Sequence, residues 1–426
     1  MDLDCTASMD YKAPLAWKII IVLMCAVTIL FYFYEFMLRV APGIMTHELM
    51  QSYHLNARSF GSLSVSFYYI YAPMQLIVGL LFDRYGPRRL LTFAAMVSAL
   101  GAYFFASMQS YSVAILGRVF IGLGASFAFV GILKVATIWF STKRYGIISG
   151  CAMAVGMMGG VVGDVIFMNL MRNEGWRLSY YFVSCFGLVL ALLIFLLLRD
   201  HRAEIDDPNF VDNSVSFEVL SEDLVTMIRN PQFWLNALVG GLLMMPVIGF
   251  AECWQIPYLS FVSNLNQVDA VTATSMVFAG WAFSGPLLGW LSDALKIRCL
   301  PITIGIAFSA IILSYVIYVP LESKTTLYVL LFLYGAFSSV QSICYAICCE
   351  RAPRRLSATA ISLTNMVVML SGVSVYLVGS LLEHLWGGGE LNGLHVYAIP
   401  DYQLAFLIFP IGLVIATVLS FYLKER

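Results

Sequence analysis

The chain has 426 residues, of which 60% are hydrophobic and only 12% are charged, and its formal net charge at pH 7 is −1. A soluble protein of this length could not cover its surface with so few charges, because exposed apolar patches would drive association. The composition therefore excludes a soluble globular protein and indicates that the whole fold forms in a lipid bilayer.

Apolar runs of helix length recur along the whole chain, which a single anchor on a soluble domain would not produce. A helix of about 20 apolar residues crosses a hydrocarbon core about 30 Å thick. We therefore predict an all-α integral membrane protein of twelve transmembrane helices in two six-helix halves. The predicted spans are 17–40, 58–82, 89–108, 112–140, 146–170, 177–198, 233–260, 270–292, 299–319, 326–349, 357–383 and 402–423.

A long polar segment between the sixth and seventh spans divides the chain, and it is too polar to enter the bilayer. We expect an N-terminal half at 1–198, a cytoplasmic central loop at 199–232 and a C-terminal half at 233–426. With the N-terminus in the cytoplasm, seventeen lysines and arginines lie on the cytoplasmic side and five on the other. This bias predicts that both termini are cytoplasmic, and we expect the inner membrane of a bacterium.

The second span of each half ends with the same arrangement of residues. Gly79 is followed four residues later by Asp83, and Gly289 is followed four residues later by Asp293, with basic residues after each aspartate. Many transporters are built from such repeats, and their substrate site lies near the membrane midplane between the halves.

Several segments of the N-terminal half resemble motifs of the major facilitator superfamily. Residues 79–91 are similar to the signature loop between its helices two and three, except that Pro87 replaces a basic residue. Residues 118–124 resemble its helix-four motif, and the glycines at 150–163 resemble its helix-five motif without the usual proline. Gly175-Trp176-Arg177 before the sixth span is also common in the family. The resemblance implies a twelve-helix fold and transport by alternating access.

The polar cluster at the end of the second span is a candidate gate. The carboxylate of Asp83 can bridge to a neighbouring cation and to the N-terminus of an adjacent helix. A simple positive-inside anchor is the alternative. The candidate gating residues are Gly79, Asp83, Arg84, Gly86, Arg88, Asp293 and, in the fifth span, Asp164.

Ionisable side chains inside a span are costly, so each is a functional candidate. Glu35 and Arg39 are four residues apart in the first span and can pair on one face. The alternative is that Arg39 extends to the lipid headgroups. Glu252, followed by Trp254, occupies the equivalent place in the seventh span. Two carboxyl groups in equivalent helices are candidates for proton or substrate coupling.

Two further charges lie inside the N-terminal half. Arg118 matches the helix-four arginine of the family, whose usual role is structural or in proton coupling. Asp164 could pair with Arg39, Arg118 or Arg177, and the sequence does not choose between them.

Polar side chains at helical spacing form stripes on several spans, and in lipid such faces should turn inward. Hydrogen bonding between helices is the alternative role for these residues. The residues expected to bind the solute or to couple its transport are Glu35, Arg39, Tyr32, Tyr68, Tyr71, Gln75, Arg118, Glu252, Trp254, Gln341, Tyr345 and Asn365.

These features predict a secondary transporter that moves an amino acid, a short peptide or an organic anion by alternating access as a proton-coupled symporter. The mixed charges suit a zwitterion or an anion better than a cationic drug. The alternatives are an exporter of drugs or metabolites and a solute sensor that does not transport.

Enzyme activity is not predicted, because no nucleophile motif or phosphate loop appears and the five histidines form no metal motif. We expect no cofactor and no metal. The expected partners are the solute, protons and the lipid bilayer, without nucleic acid, and the chain is expected to be a monomer.

Overall fold

The structure is a computed structural model that describes residues 15–107, 109–139, 145–200, 225–262, 265–321, 323–352, 357–391 and 394–425. Spans 1 to 6 are Leu15–Ile44, Ala57–Tyr85, Pro87–Ser107, Tyr111–Trp139, Tyr145–Glu174 and Trp176–Leu197. Span 7 has three segments, Pro231–Pro246, Val247–Trp254 and Gln255–Val262, and spans 8 and 9 are Gln267–Leu295 and Cys299–Tyr318. Spans 10, 11 and 12 have two segments each: Lys324–Ser338 with Gln341–Arg351, Ser357–Leu370 with Val373–Leu385, and Ile399–Ala405 with Ile408–Ser420.

Eleven of the described helices are long and apolar enough to cross a membrane. Span 2 is also long enough, with 29 residues, and it carries a stripe of polar side chains. These side chains are buried within the protein because an unpaired polar group is costly in hydrocarbon. They are Ser64, Tyr68, Tyr71 and Gln75. The architecture confirms the predicted all-α fold of twelve transmembrane helices in two halves.

The ends of the spans collect on two faces of the molecule. We call one of them the basic face, and it holds residues 84–89, 199–200, 296–298 and 424–425. The opposite face holds residues 45–56, 174–176, 386–391 and 394–398. There the Tyr53 hydroxyl donates to the Phe105 carbonyl and the Trp176 indole donates to the Ser52 hydroxyl, each at 3.0 Å. Most of the predicted central loop, residues 201–224, lies outside the described residues.

The two halves repeat one structural detail at the basic face. Asp200, just after span 6, accepts a hydrogen bond at 2.8 Å from the Arg88 backbone amide at the start of span 3. Glu425, just after span 12, accepts hydrogen bonds from the Arg298 and Cys299 amides at the start of span 9, at 3.0 and 2.7 Å. A carboxylate at a helix N-terminus satisfies amides that have no partner within the helix. The last span of each half therefore caps the third span of the same half.

Several spans contain interruptions that helix-length apolar runs do not predict. Span 7 changes to a π-helix over Val247–Trp254, directly after Pro246. Such segments displace side chains from α-helical positions and are frequent at functional sites.

Two small elements cover the opposite face. They are the helix Thr46–Tyr53 and an antiparallel hairpin that pairs Glu390–Leu391 with Leu394–His395.

The two halves touch in two layers. On the side of the opposite face, backbones meet at glycines: Gly43 faces the backbone of Glu252, and Gly61 faces the backbone of Val375. On the side of the basic face the contact is apolar and joins Phe129 and Leu133 of span 4 to spans 7, 10 and 11. A central cavity lies between these layers.

Candidate functional site

The central cavity is lined by residues from both halves. In this conformation its volume is about 30 Å³, which is room for little more than a water molecule. Six of the predicted site residues line it: Tyr32, Arg39, Tyr71, Gln341, Tyr345 and Asn365. Most of the other lining side chains are aromatic residues or methionines: Phe36, Phe129, Trp281, Met153, Met157, Met244 and Met369.

The ion pair between Arg39 and Glu252 joins the halves at the cavity wall. Arg39 Nη2 lies 2.5 Å from Glu252 Oε1, and the two side chains are almost completely buried. The Tyr68 hydroxyl donates to the other oxygen, Oε2, at 2.5 Å. The Arg39 guanidinium also lies over the Phe36 ring, 4.0 Å from its centroid. Both carboxylate oxygens of Glu252 are thus bound by residues of the other half, one on span 1 and one on span 2.

A proline explains why the helix-four arginine contacts span 1. Proline has no backbone N–H, so Pro42 cannot donate to the carbonyl of Leu38 four residues earlier. Arg118 fills this position, because its Nη1 donates to the Leu38 carbonyl at 2.9 Å. Its Nη2 donates to the Arg39 carbonyl at 3.4 Å. Arg118 therefore fixes the backbone of Arg39 and does not line the cavity.

Three donor atoms of cavity-lining residues have no acceptor within the described part of the chain. They are Arg39 Nε, Trp281 Nε1 and Gln341 Nε2, and each is buried, although the Tyr345 hydroxyl lies close enough to Gln341 to interact with it. The Tyr345 hydroxyl, by contrast, donates to Asn365 Oδ1 at 2.7 Å. A buried donor without an acceptor is costly, so these atoms favour a ligand that brings acceptors.

The sequence-based pairing of Glu35 with Arg39 is not what the structure shows. Arg39 pairs with Glu252, and Glu35 is buried inside the N-terminal half without lining the cavity. Its oxygens make no hydrogen bond to a described residue, although the Ser98 hydroxyl of span 3 lies close enough to interact. Spacing of four residues allowed the pair, but packing across the two halves gave Arg39 a different carboxylate.

Three other predicted site residues make contacts that brace helices. Gln75 Nε2 donates to the Ser126 carbonyl of span 4 at 3.1 Å, and the Trp254 indole donates to the Val375 carbonyl of span 11 at 3.0 Å. Tyr68 reaches Glu252 but does not line the cavity. These geometries fit the hydrogen-bonding role between helices that was the alternative for polar stripes.

Asp164 has none of the three arginine partners that the sequence allowed. Its Oδ2 accepts a hydrogen bond at 3.2 Å from the Ser275 hydroxyl of span 8, and the carboxyl is 1% exposed. Arg177 instead donates to the Ala106 carbonyl at 2.8 Å. Asp164 therefore lies in the contact between the halves.

The candidate gate is described only in part. Asp83 and Asp293 have side chains that lie outside the described part of the structure, so their bridging stays a prediction. Arg88 contacts its own half, because its Nε donates to the Phe195 carbonyl at 2.8 Å. A Cβ added at Gly86 would meet the Asp200 carboxylate at 2.8 Å. The Arg84 guanidinium is over the Tyr85 ring, 5.4 Å from its centroid. A Cβ added at Gly79 would meet no atom within 4 Å.

Sequence reasoning missed two residues that the structure brings to prominence. Asp200 follows the predicted sixth span without a distinctive motif, and only this position just after a span indicates a capping role. Trp281 lies in an apolar run of span 8, where nothing in the local sequence separates a lining side chain from a lipid-facing one.

Two six-helix halves around a central cavity define a membrane transporter of the type built from internal repeats. The family model described as Major Facilitator Superfamily matches residues 24–376. The chain belongs to this family, and it is a multi-pass integral membrane protein and a transporter of that type.

Among curated relatives, the uncharacterized transporter YybO of Bacillus subtilis is 22% identical over 402 residues, which cover 88% of this chain and 90% of that protein. The nitrate/nitrite transporter NrtP of a Picosynechococcus species is 30% identical over 146 residues, 34% of this chain and 24% of that protein. "Probable sulfoacetate transporter SauU" of Cupriavidus necator is 22% identical over 178 residues, 42% of this chain and 41% of that protein.

Two solved structures show the same fold. A bacterial homologue of the human lysosomal transporter Spinster, in an inward-facing and unoccupied conformation, has a TM-score of 0.78 and 18% sequence identity. The match covers 95% of this chain and 97% of that one. A point mutant of the nucleoside transporter NupG has a TM-score of 0.70 and 14% identity, covering 94% of this chain and 100% of that one.

Proposed function

We propose that the chain carries a small organic anion across the membrane by alternating access and that protons drive this transport as a symport. The observation that carries the proposal is the ion pair of Arg39 with Glu252 at the wall of the cavity. Among the described lining residues, Arg39 is the cation, and no carboxylate lines the cavity beside it.

The hydrogen-bond donors and the apolar side chains of the lining support the same solute class. The unpaired donors of Arg39, Gln341 and Trp281 suit a solute rich in acceptors, such as a carboxylate or a sulfonate. The aromatic and methionine side chains suit an apolar body on the same molecule. A zwitterion is a poorer match, because the carboxylate that could bind its ammonium group is already held by Arg39 and Tyr68.

The names of two relatives agree with an anion. One is named for nitrate and nitrite and the other for sulfoacetate, which are all anions. The matches cover less than half of each protein, so they support the charge of the solute more than its identity.

Coupling follows from competition for one guanidinium. A solute carboxylate and the Glu252 carboxylate both need Arg39, and a proton on Glu252 removes one of the competitors. The solute then binds when Glu252 carries a proton, so the two cross together. Because the basic residues concentrate on one face, we assign that face and both termini to the cytoplasm, in the inner membrane of a bacterium, with a monomer as the working unit.

Uptake into proteoliposomes tests the proposal. Labelled organic anions, amino acids and dipeptides are offered under a pH gradient with the acid side outside, and under its reverse. We expect an organic anion to accumulate when the acid side is outside, and Glu252→Gln to exchange this solute across the membrane without accumulating it.

Tyr68→Phe is the matched control for that variant, since it removes one hydrogen bond to Glu252 but keeps the carboxyl group through which we propose the coupling. It should still accumulate the solute. Accumulation by Glu252→Gln equal to that of the wild type would refute coupling through this residue. Accumulation of amino acids or dipeptides alone would refute the proposed solute class.

A further inference from the structure

Spans 5 and 8 join the two halves on the opposite-face side of the cavity, and this contact contains the Asp164 carboxyl group. Asp164 is 1% exposed and accepts its hydrogen bond from Ser275 across the contact. Span 5 ends at Glu174, so about 15 Å of helix separates Asp164 from that end. The pair therefore lies inside the contact and not at its rim.

Aromatic rings separate Asp164 from the cavity. A Cβ added at Gly160, one turn earlier on span 5, would meet Phe278 of span 8 at 3.0 Å and Phe36 of span 1 at 3.1 Å. Phe36 and Phe278 pack edge to face, with ring centroids 5.8 Å apart. Phe36 also lines the cavity, so this pair of rings lies between the cavity and the turn of span 5 that carries Asp164. Water and solute in the cavity are thus kept from the carboxyl in this conformation.

Nearby cations are engaged elsewhere in the described structure. Among described side chains, the charged groups on the spans packed against span 5 are Glu35, Arg39, Arg118, Lys134, Arg177 and Asp269. Arg39 binds Glu252, while Arg118 and Arg177 donate to backbone carbonyls. Asp269 pairs with Lys324 at the opposite face. Glu252 of span 7 is close enough to act on Asp164 electrostatically, and it is also an acid.

An ionised carboxylate closed between helices with one hydroxyl partner and no cation is strongly unfavourable, and a bound proton removes this cost. We propose that Asp164 is a proton-binding site, at which protonation favours closure of the contact between spans 5 and 8 and proton release favours its opening. The proton comes from water at the opposite face when the halves separate there. This site deepens the proposed symport, on which it rests only for its place in the transport cycle.

Hydrogen–deuterium exchange of the full-length protein in lipid nanodiscs tests the site without any solute. Exchange at the opposite-face ends of spans 5 and 8 is compared between wild type and variants at each pH. We expect the opening equilibrium of the wild type to rise with pH by up to about tenfold per unit, because one proton is released on opening. Asp164→Asn should stay closed at every pH. Ser275→Ala, which keeps the carboxyl, should retain the pH dependence.

Opening that depends on pH in Asp164→Asn as it does in the wild type would overturn the assignment. The assignment would also be overturned if the pH dependence of opening disappeared in Glu252→Gln and remained in Asp164→Asn, because the proton would then act at Glu252. Asp164→Leu, close in size and without charge, serves the same purpose should the asparagine variant fail to fold. Loss of the pH dependence in Asp164→Asn would support the proton-binding site even if no solute is transported. The failure of this proposal and the failure of the proposed function can therefore be told apart.

Discussion

At the scale of single residues, the most specific contact in the N-terminal half depends on an atom that is missing from a proline. The Leu38 carbonyl accepts a hydrogen bond from Arg118 and cannot receive the usual helical one from Pro42, which has no N–H. Arg118 is buried, and its guanidinium also lies over the Phe67 ring, 5.2 Å from the centroid. A buried guanidinium needs acceptors, and a proline-containing helix supplies them without a second ionisable side chain.

The Pro42 and Arg118 positions should therefore be energetically coupled. Arg118→Met leaves the Leu38 carbonyl without a donor, and it should lower the free energy of unfolding by about 2 kcal/mol in the wild-type background. In a Pro42→Ala background the alanine amide can donate to that carbonyl, so the same change should cost clearly less. Thermal unfolding of the four proteins in detergent measures the coupling. Equal costs in both backgrounds would show that Arg118 acts through something other than this carbonyl.

At the scale of helices, the closest crossings are made by pairs of glycines. A Cβ added at Gly280 of span 8 would lie 2.0 Å from the Phe332 carbonyl oxygen, and one at Gly335 of span 10 would lie 1.9 Å from that of Val277. Gly101 and Gly117 face each other in the same way between spans 3 and 4. Such distances are impossible for real atoms, so any side chain at these positions would force the helices apart.

Glycines of this chain should consequently differ in their tolerance of alanine. Gly335→Ala should destabilise the C-terminal half by about 1–3 kcal/mol, because backbone at the crossing must move. Gly79→Ala is the matched control, since a Cβ added there meets nothing within 4 Å. Thermal unfolding of purified protein compares the two variants. An equal loss of stability in both would contradict the crossing geometry.

The helices themselves follow from hydropathy, but their irregularities do not. Twelve apolar runs predicted twelve spans, since a lipid environment requires each to be a helix. The π-helical segment Val247–Trp254 contains Glu252, and hydropathy carries no signal for it. The position of Glu252 depends on Arg39 and Tyr68 of the other half, which local periodicity does not contain.

At the scale of the whole molecule, the two halves are joined on the opposite face by a hydrogen bond between a tyrosine and a helix terminus. The backbone amide of Ala57, the first residue of span 2, donates to the Tyr397 hydroxyl at 3.0 Å. Tyr397 in turn donates to Glu383 Oε2 at 2.8 Å, and His395 Nδ1 lies 3.0 Å from the other oxygen of Glu383. First-turn amides have no partner within their helix, so the C-terminal half satisfies one from the N-terminal half.

Removing this hydroxyl should shift the balance between conformations. Tyr397→Phe loses about 1 kcal/mol of hydrogen bonding that exists only in the closed state, which corresponds to an about fivefold change in the ratio of open to closed molecules. Electron paramagnetic resonance distances between spin labels at the exposed positions Gln51 and Gly387 report this ratio.

Tyr318→Phe is the control, since the Tyr318 hydroxyl donates to the Gln403 carbonyl within one half, at 2.9 Å. The distance distribution should change in Tyr397→Phe and not in Tyr318→Phe. A distance distribution of Tyr397→Phe identical to that of the wild type would show that this hydrogen bond does not hold the two halves together at the opposite face.

The sequence predicted several of the polar side chains that line the cavity, but it did not predict which residues pair with one another. Arg39, Tyr71, Gln341 and Asn365 were expected to face inward because polar groups avoid lipid, and they line the cavity. Which carboxylate pairs with Arg39, and what Asp164 contacts, depends on how spans far apart in the sequence pack together. Single-chain spacing describes neighbours on one helix, and the decisive contacts here join different helices.

The carboxylates that cap spans 3 and 9 have a consequence for how the chain is made. Each cap is supplied by one carboxylate that follows the sixth helix of its own half, so neither half depends on the other for this contact. Synthesis proceeds from the N-terminus, and domains complete their folding as units in that order. The first half can therefore finish its cap as soon as Asp200 leaves the ribosome, while the second half is still untranslated. A nascent chain stopped shortly after residue 200 already contains every group that this cap requires.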